Sequence, residues 1–344
     1  MMNKYIIVIV LCISAILLSI LYVNVAKVFN LYDNPSGRSS HSNKTITGMG
    51  IIFPALITIY SIFFPYQIEP YFFIGIMMMA TISYIDDLVH VKNSIRFVFQ
   101  IFALLLMVIS ISQNFEIQLP VMLTLVVFGI GVINAFNFMD GINGMLGLNS
   151  LVILFSLSYI NYFGVNEYGV SVKFVDHYLI YTCIIGVIAF LFFNFRKKAI
   201  GFAGDVGSII IAMLIFYMIC KLLLVSGNFT YLLLFSVFGI DTGLTVIYKL
   251  LLKENIFVPH RDFLFKKLVH VAKFKHLEVT AGYAALQLFV NFVVIFQPYQ
   301  YKLSSQLSVL FIVIISLIAT YIVLRSILTK NRVKINFIEK NNKP

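Results

Sequence analysis

The segment NAFNFMDGINGM, residues 134–145, joins two long apolar runs and contains three asparagines, one aspartate and two glycines. Polar side chains at this density are costly inside a bilayer, and each asparagine competes with the helix backbone for hydrogen bonds. The glycines let the backbone turn and approach a ligand closely. Taken alone, the segment is equally typical of a binding site and of an ordinary connection between two membrane helices.

The apolar character extends over the whole chain of 344 residues, of which 60% are hydrophobic and 11% charged, with a mean hydropathy of +0.97. A soluble domain contains roughly 25% charged residues. The net charge of +11 would suit nucleic acid, but Lys and Arg in a membrane protein gather in cytoplasmic loops. We therefore predict a polytopic membrane protein that binds no nucleic acid.

The number of crossings follows from the length of the apolar segments, because a membrane helix requires about 20 mostly apolar residues. The candidate segments are 4–23, 48–65, 68–85, 95–112, 119–136, 144–162, 177–194, 206–225, 229–249, 279–297 and 304–327. They predict an all-α fold with about eleven transmembrane helices. Residues 1–327 form a single transmembrane domain in this prediction, and residues 328–344 form a polar, basic cytoplasmic tail.

The Lys and Arg residues orient these segments. With the N-terminus outside, all 25 of them fall on the inner side except Lys4, Lys173, Lys221 and Lys302. The same orientation brings most acidic residues to the inner face, namely Asp33, Asp86, Asp87, Asp140, Asp205, Asp241, Glu254 and Asp262. The stretches rich in Gly, Asp and Asn therefore meet on one membrane face, and this convergence indicates a site there.

The first inner loop carries Arg38, His41 and Lys44 at three-residue spacing, with hydroxyl groups and glycines around them. Such groups suit an anionic ligand of the phosphate type. The alternative is a positively charged loop that only sets the topology. Both interpretations place this loop at the inner face.

Asp86 and Asp87 end the third membrane segment. Neighbouring residues on a helix point about 100° apart, so only one of the two can face a given metal or phosphate squarely. Carboxylates at a helix C-terminus oppose the macrodipole, which makes an unneeded pair there mildly unfavourable. The alternative is a pair of helix-end carboxylates in water.

Asp205 lies between Gly204 and Gly207, just before a predicted helix and after the basic residues 196–198. Glycines at a helix N-terminus expose backbone N–H groups to a phosphate, and the carboxylate is available to Mg²⁺. The alternative is an aspartate that only caps the helix.

Two further features lie near the end of the apolar region. Asp241 lies within a membrane segment, where a carboxylate indicates function by default, although a structural partner is a close alternative. The last inner loop contains His260 and Arg261, which can reach a phosphate. The segment that follows them is also typical of a basic amphipathic helix lying in the interface.

Several of these motifs occur together in a fixed order. They are Asp33-x-Pro35 with Arg38 and His41, Asp86-Asp87, Asn137-Phe138-Met139-Asp140-Gly141, Gly204-Asp205-x-Gly207-Ser208, Asp241 and His260-Arg261. The combination, which spans roughly residues 33–261, resembles the polyprenyl-phosphate N-acetylhexosamine-1-phosphate transferases of glycosyltransferase family 4. That family includes the phospho-MurNAc-pentapeptide translocases and the enzymes that start O-antigen, teichoic acid and capsule synthesis.

The resemblance implies a reaction in which polyprenyl (undecaprenyl) phosphate attacks the β-phosphorus of a UDP-linked amino sugar and releases UMP. It implies a Mg²⁺ cofactor, with Mn²⁺ as the alternative, and a multi-pass enzyme of the inner membrane with a cytoplasmic active site. The oligomeric state stays open. The predicted catalytic residues are Asp86, Asp87, Asp140, Asp205 and His260; the substrate-binding residues Arg38, His41, Lys44, Asn134, Asn137, Asn143, Asp241 and Arg261; and the metal ligands Asn137 and Asp205.

The chain departs from the family pattern in two places. Many members carry an acidic residue where this chain has Asn143, and further histidines where it has Phe263, Phe265 and Lys266. Either His260 or Lys266 can take over a phosphate contact there. A transporter or flippase of a phosphorylated lipid or sugar is the main rival function, but transporters usually bind near the midplane and often show repeated halves. An inactive scaffold is a third interpretation, favoured only by the missing histidines.

Overall fold

A computed structural model describes residues 4–33, 44–165, 169–254, 262–297 and 302–341, with side chains as far as residue 329. The helices in these ranges are α1 (Lys4–Val28), α2 (Ile52–Phe63), α3 (Pro70–Val89), α4 (Asn93–Ser112), α5 (Leu119–Met139), α6 (Met145–Phe163), α7 (His177–Asn194), α8 (Gly204–Ser226), α9 (Ser236–Leu251), α10 (Leu264–His270), α11 (His276–Phe296) and α12 (Leu303–Asn341). Two short strands, β1 (Tyr32–Asp33) and β2 (Thr45–Ile46), pair antiparallel.

The prediction of an all-α polytopic membrane protein is confirmed. Within the described residues, 10 helices are long and apolar enough to cross a membrane. The predicted segment 48–65 is also helical, but its apolar helix extends only over Met49–Phe63 and is shorter than a typical span. The count of eleven crossings therefore stays a prediction. Helix α12 continues to Asn341, so the predicted tail is helical over most of its length.

Helix α8 forms the centre of the bundle. Of its most apolar window, 78% is buried within the protein, whereas only 11% of the corresponding window of α12 is buried. The sequence of α8 is apolar on all sides after its first turn, as expected for a helix enclosed by others. Because α3, α5 and α2 pack around it, the first turn of α8 is held in one place.

A tight connection links α3 to α4. His90 ends α3 with a positive φ of 51°, and the chain enters α4 at Asn93. The backbone N–H of Val91 donates to Asp86 Oδ1 at 2.6 Å and closes the turn. The start of α4 therefore returns alongside the acidic end of α3.

Backbone contacts tie the first inner loop to the segment before α8. The N–H of Phe202 donates to the carbonyl of Ile46 at 2.7 Å, and the N–H of Ile46 donates to the carbonyl of Ile200 at 3.3 Å. Gly50 and Gly207 touch backbone to backbone, with no room for a Cβ at either position. These contacts position the start of α8 against the chain that follows β2.

A partly buried ion pair lies at the other end of α3 and α8. Lys221 Nζ is 2.7 Å from Glu69 Oε1, and the Tyr217 hydroxyl donates to Glu69 Oε2. The Tyr217 ring stacks on Phe72 with centroids 3.8 Å apart. Asn114 adds a 3.4 Å hydrogen bond to Glu69. We call Glu69, Tyr217 and Lys221 the outer cluster, following the predicted orientation.

Candidate active site

A polar cavity of about 860 Å³ opens at the predicted inner ends of α3, α4, α5 and α8. Its lining contains six of the predicted site residues, namely Asp86, Asp87, Asn137, Asp140, Asn143 and Asp205. The convergence of polar stretches expected from the sequence therefore occurs in the structure.

Asp205, in the first turn of α8, lies at the centre of this group. Its Oδ1 accepts a 2.8 Å hydrogen bond from Asn137 Nδ2, which also donates to Ser208 Oγ at 3.0 Å. Its Oδ2 forms an ion pair with the guanidinium of Arg96. Both carboxylate oxygens of Asp205 are therefore engaged by side chains from α4 and α5. We call Asp86, Arg96 and Asp205 the inner cluster.

Asp87 caps helix α8. Its Oδ1 accepts from the backbone N–H of Asp205 at 2.8 Å, and its Oδ2 accepts from the N–H of Val206 at 3.2 Å. Gly204, with a φ of 71°, lies so close to Asp87 that a Cβ would collide with the carboxylate. The backbone N–H groups expected to bind a phosphate thus donate to Asp87. The alternative interpretation, in which Asp205 caps the helix, is wrong, because the capping residue is Asp87 of α3.

Asp86 faces away from Asp87, as the helical geometry predicts. Its Oδ2 lies 2.7 Å from Arg96 Nη1, and its Oδ1 accepts from Val91 N–H. Arg96 thus bridges Asp86 and Asp205. In the sequence, Arg96 is one of the many Lys and Arg residues that indicate the orientation. Arg96 lies in the first turn of the helix that follows Asp86-Asp87 after a short connection, and this position was the sequence feature that indicated a contact with the two carboxylates.

Asp140 ends helix α5 and lines the cavity. Burial and, to a lesser extent, the nearby Asp205 carboxylate raise the pKa of its carboxyl group to about 7. No hydrogen bond from the part of the chain that the structure describes reaches the Asp140 carboxylate, whose backbone N–H donates to Phe136 and Asn137 carbonyls. The oxygens of the Asp140 carboxylate are therefore available to a ligand in the cavity.

Two of the predicted asparagines serve the fold. Asn143 is buried and donates to the carbonyl of Arg196 at 2.7 Å, which fixes the chain after α7 although Asn143 also lines the cavity. Asn134 donates to Gln100 Oε1 at 3.1 Å and links α5 to α4. Asn134 lies about one helical turn before Asn137, off the polar cavity, and lines an apolar groove between α5 and α9.

The structure also places Asp241 away from the cavity. It is buried, and its carboxylate accepts from the backbone N–H groups of Leu264 at 2.9 Å and Phe265 at 3.3 Å. It also accepts from the hydroxyls of Tyr283 at 2.8 Å and Thr245 at 3.3 Å. A carboxylate with four donors has no free position for a substrate, so Asp241 is a structural partner that caps α10.

Helix α10 brings Lys266 to the cavity. The Lys266 Nζ lies 5.6 Å from the ring centroid of Phe263 and 5.7 Å from that of Phe265, and its Cε approaches Gly141. Phe263 and Phe265 are buried, so these two departures from the family pattern serve as packing residues. The third departure, Lys266, supplies a cation at the cavity.

The remaining predictions fall elsewhere. Arg38, His41, His260 and Arg261 lie outside the described residues. Lys44 is exposed just before β2 and is not part of the cavity lining.

An apolar groove of about 840 Å³ runs beside the polar cavity, between α5 and α9. Gly131, Gly239 and Gly243 line it with open space beyond each Cα, which gives the groove its depth. Phe138 lines the groove, whereas its neighbour Asn137 lines the cavity. The inner end of α5 therefore separates an apolar compartment from a polar one.

The donor set suits a hard divalent cation only in part. Within the described residues, no group of three or more His, Cys, Asp or Glu side chains forms a metal cluster. Mg²⁺ often uses one or two carboxylates and completes its shell with water and substrate phosphates, and Asp205, Asp140 and Asn137 offer oxygen ligands. Because Arg96 pairs with Asp205, metal binding at Asp205 requires this ion pair to open.

Comparisons with known proteins agree with this geometry. The sequence model of glycosyl transferase family 4 matches residues 70–223, which contain most of the cavity lining. A Bacillus subtilis (strain 168) protein described as a probable undecaprenyl-phosphate N-acetylglucosaminyl 1-phosphate transferase is 23% identical over 217 residues. That match covers 57% of this chain and 57% of the relative, so the chain aligns with little more than half of the relative's length.

Proposed function

We propose that this chain, a member of glycosyl transferase family 4, transfers an N-acetylhexosamine-1-phosphate-type group from a UDP-sugar to undecaprenyl phosphate and releases UMP. The observation that carries the proposal is the apolar groove beside the polar cavity, separated only by the end of α5. One substrate of this reaction is a lipid and the other is a charged, water-soluble nucleotide. An active site for both requires two such compartments in contact.

The lipid substrate fits the groove by its chemistry. A polyprenyl chain is apolar and flexible, and the groove exposes aromatic and aliphatic side chains such as Phe128, Phe235 and Val246. With the chain in the groove, the phosphate head reaches the end of α5, where Asn137 and Asp140 line the cavity. This placement supports an acceptor phosphate positioned for attack in the cavity.

In the proposed reaction, an oxygen of the lipid phosphate forms a bond to the β-phosphorus of the UDP-sugar. The bond from that phosphorus to the oxygen bridging the α-phosphate breaks, and UMP leaves with the electron pair. Because a lipid phosphate has a second pKa of about 6 and is mostly ionised at neutral pH, a strong base is not needed. This supports direct attack over a covalent aspartyl intermediate.

The protein then has to neutralise and align two anions. Arg96 and Lys266 supply positive charge from two sides of the cavity. Asp205, Asn137 and Asp140 are the residues that would hold Mg²⁺, which supplies charge neutralisation at the diphosphate. Asp87 and Asp86 act indirectly in this proposal, since Asp87 fixes the start of α8 and Asp86 orients Arg96.

Two further statements belong to the proposal. The enzyme lies in the bacterial cytoplasmic (inner) membrane with the cavity towards the cytoplasm, as the distribution of Lys and Arg supports. Its product starts a lipid-linked cell-surface glycan. A flippase or transporter is less well supported, because the polar cavity opens at the ends of the helices and transporters usually bind near the midplane.

The test uses purified full-length protein, undecaprenyl phosphate, Mg²⁺ and a panel of UDP-sugars that includes UDP-GlcNAc. We expect UMP release that requires both the lipid and one member of the panel, and that stops on addition of EDTA. Transport of a labelled substrate in vesicles without any UMP release would favour the rival function. Release of UMP that continues without lipid would contradict the proposed acceptor.

A further inference from the structure

Two cationic side chains are buried together outside the cavity, at the predicted inner ends of α9 and α12. Lys249, in the last turn of α9, is 2% exposed, and Arg325 of α12 is 8% exposed. The guanidinium of Arg325 packs on the ring of Tyr248, which precedes Lys249 in α9. Neither side chain lines the polar cavity, so the proposed reaction does not explain them.

Arg325 is partly satisfied by the protein. Its Nη1 donates to the main-chain carbonyl of Asp262 at 3.0 Å and to the Tyr321 hydroxyl at 2.5 Å. Its guanidinium carbon lies 4.1 Å from the ring centroid of Tyr248. Its Nη2, however, is buried without a hydrogen-bond partner among the described residues. Arg325 is thus held in a fixed orientation with one donor group unused.

Lys249 is less satisfied. Its Nζ is buried, and no residue in the described part of the chain accepts a hydrogen bond from it. Asp262 and Glu254 interact with it electrostatically, but no ion pair within 4.0 Å is formed by Lys249 in the described ranges. The Asp262 carboxylate is instead 3.8 Å from Lys267 Nζ. A buried ammonium group without an acceptor is strongly unfavourable, and an anion beside it would remove that cost.

We propose that Lys249 and Arg325 form a second anion site, which binds one phosphate group at the inner membrane surface. An ammonium and a guanidinium with unused donors suit a phosphate oxygen pair, and basic pockets between membrane helices on the cytoplasmic side bind anionic headgroups. The phosphate comes from an anionic phospholipid or from free phosphate in solution. The half-exposed Tyr248 and the exposed Leu251 show that this end of α9 borders the bilayer.

The site also has a structural consequence. Arg325 holds the main chain of Asp262, two residues before α10, and α10 carries Lys266 to the cavity. A phosphate that neutralises Lys249 and Arg325 is therefore expected to stabilise the packing of α9, α10 and α12. Binding is then detectable as a rise in thermal stability, because a ligand that binds only the folded protein stabilises it.

The test measures the Tm of full-length protein in a neutral detergent with three separate additions: phosphatidylglycerol, phosphatidylcholine or inorganic phosphate. The expected result is a rise of several degrees with phosphatidylglycerol or with inorganic phosphate. A response to inorganic phosphate alone identifies a free anion as the ligand, and a response to phosphatidylglycerol alone identifies a lipid headgroup. No response to either addition overturns the proposal.

Variants separate a defined site from diffuse attraction of anions to a basic surface. Lys249→Met keeps the length of the side chain, removes the buried charge and should abolish the response, whereas Lys249→Arg should keep it. Lys253→Met is the matched control, since Lys253 is an exposed lysine one turn further along and should leave the response unchanged. Equal losses in Lys249→Met and Lys253→Met would overturn the proposal. The readout does not depend on turnover, so the result is independent of the proposed function.

Discussion

The two ends of the α3–α8 pair each carry a partly buried ion pair, but only the inner pair lines the polar cavity. At the outer cluster, Glu69 and Lys221 pair beneath the stacked ring of Tyr217. At the inner cluster, Arg96 pairs with Asp86 and Asp205 on the wall of a cavity of about 860 Å³. The two clusters have similar chemistry and differ in their access to a ligand.

A charged group in an apolar bundle is therefore not by itself evidence of a catalytic role. The outer cluster is closed, because each of its charges has a partner and none lines the polar cavity. The inner cluster is open on one side, and its members can exchange a protein partner for a substrate or a metal. Substitutions should therefore change stability at the outer cluster and activity at the inner one.

The largest effect is expected from Asp205→Asn. The substitution removes the charge that pairs with Arg96 and that would hold Mg²⁺, while the amide keeps the size of the side chain. Loss of a group that stabilises developing charge costs about 10²–10³-fold in kcat, and loss of a metal ligand should cost at least as much. UMP release measures the activity, and an unchanged Tm shows that the fold is retained. Activity within threefold of wild type would contradict the assignment.

Glu69→Gln should produce the reverse pattern. It leaves the partly buried Lys221 ammonium without its counter-ion, which should cost less than the about 3–5 kcal/mol typical of breaking a fully buried pair. We expect a clearly lower Tm and normal UMP release per folded molecule. The double variant Glu69→Gln with Lys221→Met, which leaves no buried charge, should recover much of the lost stability. A loss of turnover without a loss of stability would mean that the outer cluster belongs to the active site.

Arg96→Lys tests the bridge within the inner cluster. A lysine carries the same charge but cannot contact Asp86 and Asp205 with two coplanar donors. We expect kcat to fall about tenfold, since a hydrogen bond to a charged group contributes roughly 1.5–3 kcal/mol and only part of it is lost. Wild-type turnover in Arg96→Lys would show that the two-pronged contact is dispensable.

A smaller effect is expected from pH, through Asp140. Its pKa of about 7 means that the carboxylate becomes charged between about pH 6 and pH 8, so activity that needs the charged form should rise through that range. Because the folded pKa lies above the ordinary value of about 4, stability should fall as the pH rises from about 4 to about 7 and should level off above that. Asp140→Asn should remove both trends. The measurements are UMP release and Tm between pH 5.5 and pH 8.5, and a flat wild-type profile would contradict the role.

The smallest effect is expected at Lys266, which reaches the cavity from α10. Lys266→Met should raise the KM for the UDP-sugar several-fold with little change in kcat, because the lysine adds positive charge at the wall of the cavity. Lys44→Met is the control, since Lys44 is exposed and lies off the cavity. Equal KM values for the two variants would contradict a role of Lys266 in binding the UDP-sugar.

The sequence allowed much of this architecture to be predicted, because apolar length defines membrane helices and the distribution of Lys and Arg orients them. The meeting of Asp87, Asn137, Asp140 and Asp205 followed from that orientation alone. The orientation of the helices does not predict which side chains pair with each other. That Asp87 would cap α8 depends on the antiparallel packing of α3 against α8, which no local pattern encodes.

The same limit explains the residues that were assigned differently. Asn134 and Asp241 are polar residues in apolar helices, and their spacing does not tell whether they face a ligand or another helix. The structure gives them Gln100 and the start of α10 as partners. Arg96 was overlooked for the opposite reason, because a cation at the inner end of a helix is already explained by topology.

The most direct measurement compares wild type, Asp205→Asn and Glu69→Gln in one assay of UMP release from a UDP-sugar, dependent on undecaprenyl phosphate. The account predicts release by wild type and by folded Glu69→Gln, and none above background by folded Asp205→Asn. Release by Asp205→Asn at the wild-type rate, or no release by wild type with any UDP-sugar of the panel, would contradict it.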